Sequence, residues 1–202
     1  KKIIFIHIPK AGGSTIEINL DLKKSENGWG THKFKFYPNK KAFQHFIWSD
    51  YIFKLGEETC NKYYKFTIVR HPVSRFISEY YWNPEGRKKC SFDDFLIKAE
   101  NIVKNKLFKH LIGDHFQSQS SFIFDTNNNC KVDKIFRFEN YNKVIMYIKE
   151  LLNEKDKKIE SINVCKKKEK LSFIPSIKQM SKIYDLYKED YDNFGYEKIL
   201  PF

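Results

Sequence analysis

Lys2-Ile-Ile-Phe-Ile-His-Ile-Pro-Lys-Ala-Gly-Gly-Ser-Thr15 is the stretch that decides the fold. Its apolar opening, Lys2 to His7, reads as a short buried strand, stopped by Pro9 and the Gly12-Gly13 pair. Ser14 or Thr15 then caps a helix expected to run to about Leu22. A strand that delivers a glycine-rich turn into a helix start is a ready-made anion site, because the first N–H groups of a helix lack intrahelical acceptors. Glycines let the backbone approach an anion closely, and Ser14 and Thr15 add hydroxyl donors. Lys10 stands ahead of the glycines. In the nucleoside-triphosphate P-loop the lysine follows the last glycine and precedes a Mg²⁺-holding Ser or Thr, and that Gly-Lys-Ser/Thr string is absent here.

The same logic returns in Phe66-Thr-Ile-Val-Arg-His-Pro-Val-Ser-Arg-Phe-Ile-Ser-Glu-Tyr80. Tyr63 to Val69 is a second buried strand, Arg70 stands at its carboxyl end, and Pro72 opens a helix. At about 100° per residue, Ser74, Arg75 and Ser78 share one face, with Val73, Phe76, Ile77 and Tyr80 opposite. That face next to Arg70 is expected to offer anion donors, although Arg75 taken alone reads as a structural salt bridge. Two such sites at the ends of two strands suit a ligand phosphorylated at both ends, held outside the carboxyl edge of an open sheet.

Outward from these segments, residues 23–37 read as irregular. A helix is expected after Pro38, carrying Phe43, Phe46, Ile47 and Tyr51 and ending at Gly56. Phe92 to Leu111 is helical in composition. Phe122–Phe124 and Lys134–Phe138 flank the turn Asp125-Thr-Asn-Asn-Asn129 and read as strands that could pair. Tyr141, Val144, Ile145, Ile148, Leu151 and Leu152 recur at helical spacing, as do Ile177, Met180, Ile183, Tyr184, Tyr187 and Tyr191. Strands separated by long helices require crossovers and hence a parallel sheet. The expected architecture is α/β, a three-layer P-loop-like domain with a central, mainly parallel sheet flanked by helices, and a single domain over 1–202.

The 202 residues are 41% hydrophobic and 17% aromatic, enough for a sizeable core. A disordered tail, a small disulfide-stapled module and a tandem array are thereby excluded. No apolar run approaches the roughly eighteen residues of a membrane span. The chain opens directly into its first strand without an apolar leader, and the lack of an initiator Met points to a trimmed chain. Compartment stays open: cytoplasmic for a bacterial or viral chain, the Golgi lumen for a trimmed eukaryotic one. Lys and Arg number 37 against 25 Asp and Glu, a net +12 that favours anionic partners. Only Arg70, Arg75, Arg87 and Arg137 are arginines, so the excess is lysine spread along the chain and argues weakly for nucleic acid. Cys60, Cys90, Cys130 and Cys165 lie thirty or more residues apart without histidines at ligand spacing, which makes a zinc site improbable. Two disulfides are open but not needed at this size.

Ile8-Pro-Lys-Ala-Gly-Gly-Ser-Thr15 and Val69-Arg-His-Pro-Val-Ser-Arg-Phe-Ile-Ser-Glu-Tyr80, in this order and about sixty residues apart, resemble the carbohydrate sulfotransferases of the second sulfotransferase group. The heparan sulfate 2-O- and 6-O-sulfotransferases and their bacterial and viral relatives belong there. The resemblance extends to His115-Phe-Gln-Ser-Gln119, Phe136-Arg-Phe-Glu-Asn140 and Tyr187-Lys-Glu-Asp-Tyr-Asp-Asn-Phe-Gly-Tyr196. It implies 3′-phosphoadenosine-5′-phosphosulfate (PAPS) as donor, 3′,5′-adenosine bisphosphate (PAP) as product, and no metal. By position, Lys10, Ala11, Gly12, Gly13, Ser14 and Thr15 would cradle the 5′-phosphosulfate, and Arg70 with Ser78 would hold the 3′-phosphate. Ala11 stands where Thr is commoner, which removes one hydroxyl, and His71 replaces a frequent Asn without evident consequence.

Sulfuryl transfer to an alcohol is an in-line displacement in which the protein mainly positions and neutralises, by analogy with phosphoryl transfer. Lys10 is the cation expected at the bridging oxygen, where negative charge develops. A base is also needed for the acceptor hydroxyl. His32, in Gly30-Thr-His-Lys33, matches the position where relatives carry a catalytic histidine. His115 is the next candidate, as base or acceptor contact. His7 and His45 read as core residues, and Glu17 and Glu79 are the carboxylate alternatives. Lys166-Lys-Lys-Glu-Lys170 is either a solvated run or a lid, with Lys168 and Lys170 its undecided contacts. Trp29, Trp48 and Trp82 could stack on adenine or sugar, with packing preferred for Trp48 and Trp82. The acceptor is expected to be a glycan or another hydroxyl compound. Two rivals differ in class: a P-loop kinase using ATP and Mg²⁺, and a non-enzymatic polyanion-binding module.

Overall fold

The computed structural model describes residues 2–20, 45–108, 113–154, 156, 158–159 and 173–198. In chain order these form β1 (Ile3–Ile6), α1 (Gly13–Asn19), α2 (Trp48–Leu55), α3 (Glu57–Lys62), β2 (Tyr64–Val69), α4 (Pro72–Trp82), α5 (Phe92–Lys104), α6 (Ser120–Ile123), β3 (Lys134–Arg137), α7 (Tyr141–Leu152), α8 (Ile177–Leu186) and α9 (Lys188–Phe194). A 3₁₀ turn covers Gly113–Phe116 and another Phe138–Asn140. The three-layer α/β class expected from the sequence is the one observed. Among the described residues the sheet is three-stranded and entirely parallel, in the order β1-β2-β3.

The residues fall into two compact units, Lys1–Val69 with Ser121–Val164 and Arg70–Ser120 with Cys165–Phe202. The first is built on β2, whose last five residues are all buried, as a central parallel strand covered on both faces requires. Ile6 pairs with Thr67 on one side of it, and Thr67 pairs with Ile135 on the other. The buried Thr67 hydroxyl donates to the Ile6 carbonyl at 2.7 Å, so its polarity is satisfied. Phe66 packs against Phe5, Phe136 and Tyr147, which seats α7 on the sheet. Asp133 fixes the start of β3 by accepting the Lys65 N–H at 2.6 Å and pairing with the Lys65 ammonium at 3.1 Å. Burial pushes the Asp133 carboxyl up, but the Lys65 bonds outweigh it and leave the group below its ordinary value.

The second unit closes α4, α5 and α8 around Val73, Phe76, Tyr80, Phe95, Leu96 and Ile183. Pro72 occupies the first turn of α4, Ser91 caps α5 by accepting the Asp94 N–H, and Ser176 with Gln179 forms a capping box on α8. No helix among the described residues is long and apolar enough to cross a membrane. Cys60, Cys90 and Cys130 are not disulfide-bonded, and Cys165 lies outside the described residues.

Several elements differ from the sequence expectation. Phe122 belongs to α6 rather than to a strand, because the Ser120 N–H at the helix start is taken by the carboxylate of Asp190, 70 residues away. The anticipated pairing across the Asp125 turn shrinks to one antiparallel bridge, Phe124 to Cys130, while β3 pairs with β2 instead. The stripe from Ile177 to Tyr191 is two helices broken at the buried Tyr187. The helix expected after Pro38 begins at Trp48, with Ile47 extended and its N–H on the Asp50 carboxylate; residues 38–44 lie outside the description. α5 stops at Lys104, where the Asn105 side chain donates to the Asn101 carbonyl.

Candidate active site

The turn after β1 is wound by two left-handed residues, Lys10 at φ 64° and Gly12 at φ 91°. For lysine that conformation is strained, a cost of order 1–3 kcal/mol that persists where the surroundings impose it. Here the Ala11 N–H returns to the Ile8 carbonyl, and Ile8 and Ala11 are both buried. A β-carbon on Gly12 would lie 2.8 Å from the Tyr141 ring and 3.0 Å from Phe138. The Tyr141 hydroxyl donates to the Gly12 carbonyl at 2.8 Å and also bonds the Thr15 side chain. Burial raises the Tyr141 phenol above its ordinary value.

Gly13 is required for a different reason. A β-carbon there would fall 2.4 Å from the His7 ring. His7 is buried, its Nδ1 shares a 2.6 Å hydrogen bond with Glu17, and its ring meets His45 edge-on. Both histidines are buried, as their apolar sequence surroundings suggested, and the buried Glu17 is hydrogen-bonded to His7 through Oε1. α1 starts at Gly13 with no side-chain cap and no acidic residue in its first turn. Lys10 and Ser14 are half-buried around that start, and Thr15 is buried. The Lys10 ammonium, the Ser14 hydroxyl and an uncapped helix start are a donor set for an anion, while the Thr15 hydroxyl is engaged with Tyr141.

In the second unit, Arg70 is the first residue past β2. Its N–H donates to Gln119 Oε1 and its carbonyl accepts from Gln119 Nε2, both at 2.8 Å. His71, at the start of α4, does have a consequence the sequence did not reveal. It is buried edge-on between the Tyr191 and Tyr196 rings, with Nε2 2.9 Å from the Glu197 carbonyl, and so fastens the closing segment. The expected donor face of α4 needs correcting. Arg75 is only 3% exposed, donates to the His115 and Gln117 carbonyls at 2.8 Å each, and lies over the Tyr187 ring. One nitrogen, Nη2, makes both bonds, so the guanidinium is engaged with backbone carbonyls and a ring of the fold, where the sequence suggested a salt bridge. Ser78 is buried and Ser74 half-buried.

His115 is 9% exposed, with Nδ1 2.7 Å from Glu79 Oε2 and its ring stacked on Trp82 at 4.7 Å. Asn83, one helical turn beyond Glu79, donates to the other carboxylate oxygen at 2.8 Å. An imidazole oriented by a buried carboxylate is a base arrangement. Trp82 is half exposed and Trp48 buried, in line with rim and core packing. His32, Trp29 and Lys166–Lys170 lie outside the described residues.

The hydrogen-bonding roles of Glu79, Gln119 and Asp190 were not foreseen from the sequence. Only the i, i+4 spacing of Glu79 and Asn83 could have signalled one of them.

No curated protein and no solved structure gives a significant match. A model described as the sulfotransferase family matches residues 1–197. The match spans both the Lys10 turn and the Arg70 helix, and the chain belongs to the sulfotransferase family.

Proposed function

We propose that this sulfotransferase takes its sulfuryl group from PAPS and passes it to a carbohydrate hydroxyl, as the resemblance to the heparan sulfate 2-O- and 6-O-sulfotransferases implies. The observation that carries the reading is the strained, glycine-wound Lys10 turn, which ends a strand parallel to β2 and opens on an uncapped helix. Lys10, Ala11, Gly12, Gly13, Ser14 and Thr15 hold the 5′-phosphosulfate, and Arg70 with Ser78 holds the 3′-phosphate. PAPS supplies an activated sulfuryl group. Lys10 places positive charge where the bridging oxygen becomes anionic, and a histidine takes the acceptor proton.

His32 is assigned as that base from its place in the family pattern. A specific observation favours His115 as a second reading: the 2.7 Å bond from its Nδ1 to the buried Glu79. Alanine variants of both separate the two, since the base variant abolishes transfer while retaining PAP affinity.

Incubation with ³⁵S-labelled PAPS and a panel of glycans tests the function. Label is expected to move to at least one acidic polysaccharide. Transfer to a lipid or small-molecule alcohol alone would move the acceptor class. PAPS left intact with every acceptor, alongside phosphoryl transfer from Mg-ATP, would replace the reading by a kinase.

A further inference from the structure

The Asp190 carboxylate is fully buried. A buried carboxylate costs several kcal/mol unless its oxygens are satisfied. Here both are. Oδ2 accepts the Gln119 N–H at 2.9 Å and its Nε2 at 3.3 Å, and Oδ1 accepts the Ser120 N–H at 2.8 Å and its hydroxyl at 2.9 Å. Gln119 is fully buried, so its side chain has a single orientation to satisfy. From there it grips Arg70 at two points, accepting its N–H and donating to its carbonyl. That reciprocal pattern is what a neighbouring strand supplies, continued by one side chain past the end of β2. Methionine would lose both bonds. Glutamate would lose the donor for the Arg70 carbonyl and bring a second carboxylate against Asp190.

We infer that Asp190 and Gln119 are positioning residues that fix the Arg70 backbone, and thereby set the preference for a nucleotide bearing a 3′-phosphate. The inference rests on the reading of Arg70 as the 3′-phosphate ligand. Holding the backbone where the side chain begins lowers the ordering cost that a long arginine otherwise meets on binding.

The test is calorimetric titration of the full chain with PAP and with 5′-AMP, which lacks the 3′-phosphate. Gln119→Met is expected to weaken PAP by about tenfold, equivalent to about 1.4 kcal/mol, while leaving AMP unchanged. Gln119→Glu, nearly isosteric, is expected to do the same and serves where the methionine variant does not fold. Ser120→Ala removes one bond to Asp190 without touching Gln119; it should lower Tm and leave the PAP-to-AMP ratio at the wild-type value. A wild-type ratio in folded Gln119 variants, or an equal loss for both nucleotides, would overturn the inference. If Arg70→Ala itself leaves the ratio unchanged, it is the reading of Arg70 that fails. If Arg70→Ala abolishes the preference and the Gln119 variants keep it, only the clamp fails.

Discussion

The two glycines of the Lys10 turn are needed for separate reasons, and substitution distinguishes them. Gly13→Ala places a methyl 2.4 Å from the His7 ring, which must then shift against Glu17. Overpacking of this kind costs about 1–3 kcal/mol. The expected result is a lowered Tm that a simultaneous His7→Ala change partly restores. Lys10→Ala removes the ammonium, and turnover should fall by about 10²–10³ with Tm little changed. Full activity in that variant would remove Lys10 from the mechanism. Arg75→Met removes the Nη2 donor that the His115 and Gln117 carbonyls share, so it should destabilise by about 1–3 kcal/mol. Thermal unfolding measures this, and an unchanged Tm would contradict the structural role. The glycine turn was legible because its chemistry is local. Arg75 could be read as structural, but its partners could not, because the carbonyls it serves lie 40 and 42 residues away.

Among the elements, β1, β2 and the Pro72 start of α4 were legible because apolar runs and proline act within a few residues. The Phe122 segment misled because its helical start depends on Asp190. The turn from Asp125 to Asn129 was recognised, but its partner was not. Its carboxylate accepts the Asn127 and Asn129 N–H groups and pairs with Lys131 at 2.6 Å. The Lys131 bond, followed by the Asn129 N–H, holds the Asp125 carboxyl down to about 2 from an ordinary 3.8. A depressed acid stabilises the fold above its unfolded value and loses that contribution as pH falls through its folded value. The turn should therefore loosen only as pH falls from about 4 towards 2. Carboxyl chemical shifts should show a midpoint near 2, moving up in Lys131→Met; a midpoint unmoved by that change would contradict the pairing.

For the molecule as a whole, family and fold class were legible from two ordered motifs, whereas the net charge of +12 identified no partner. Each motif was read as a strand followed by a helix, and both pairs are present, β1 with α1 and β2 with α4. What the sequence hid is the support behind them: Tyr141 over Gly12, Gln119 on Arg70, Glu79 on His115. Each joins residues far apart in the chain, where periodicity carries no signal. Under the proposed function, Lys10 and Arg70 both bind the adenosine-based donor. Calorimetric titration of the full chain with PAP, beside Mg-ATP, tests it most directly. Saturable heat with PAP in the absence of added metal, weakened by about tenfold or more in both Lys10→Ala and Arg70→Ala, is the expected result. Binding of Mg-ATP with none of PAP, or PAP affinity untouched by either substitution, would contradict it.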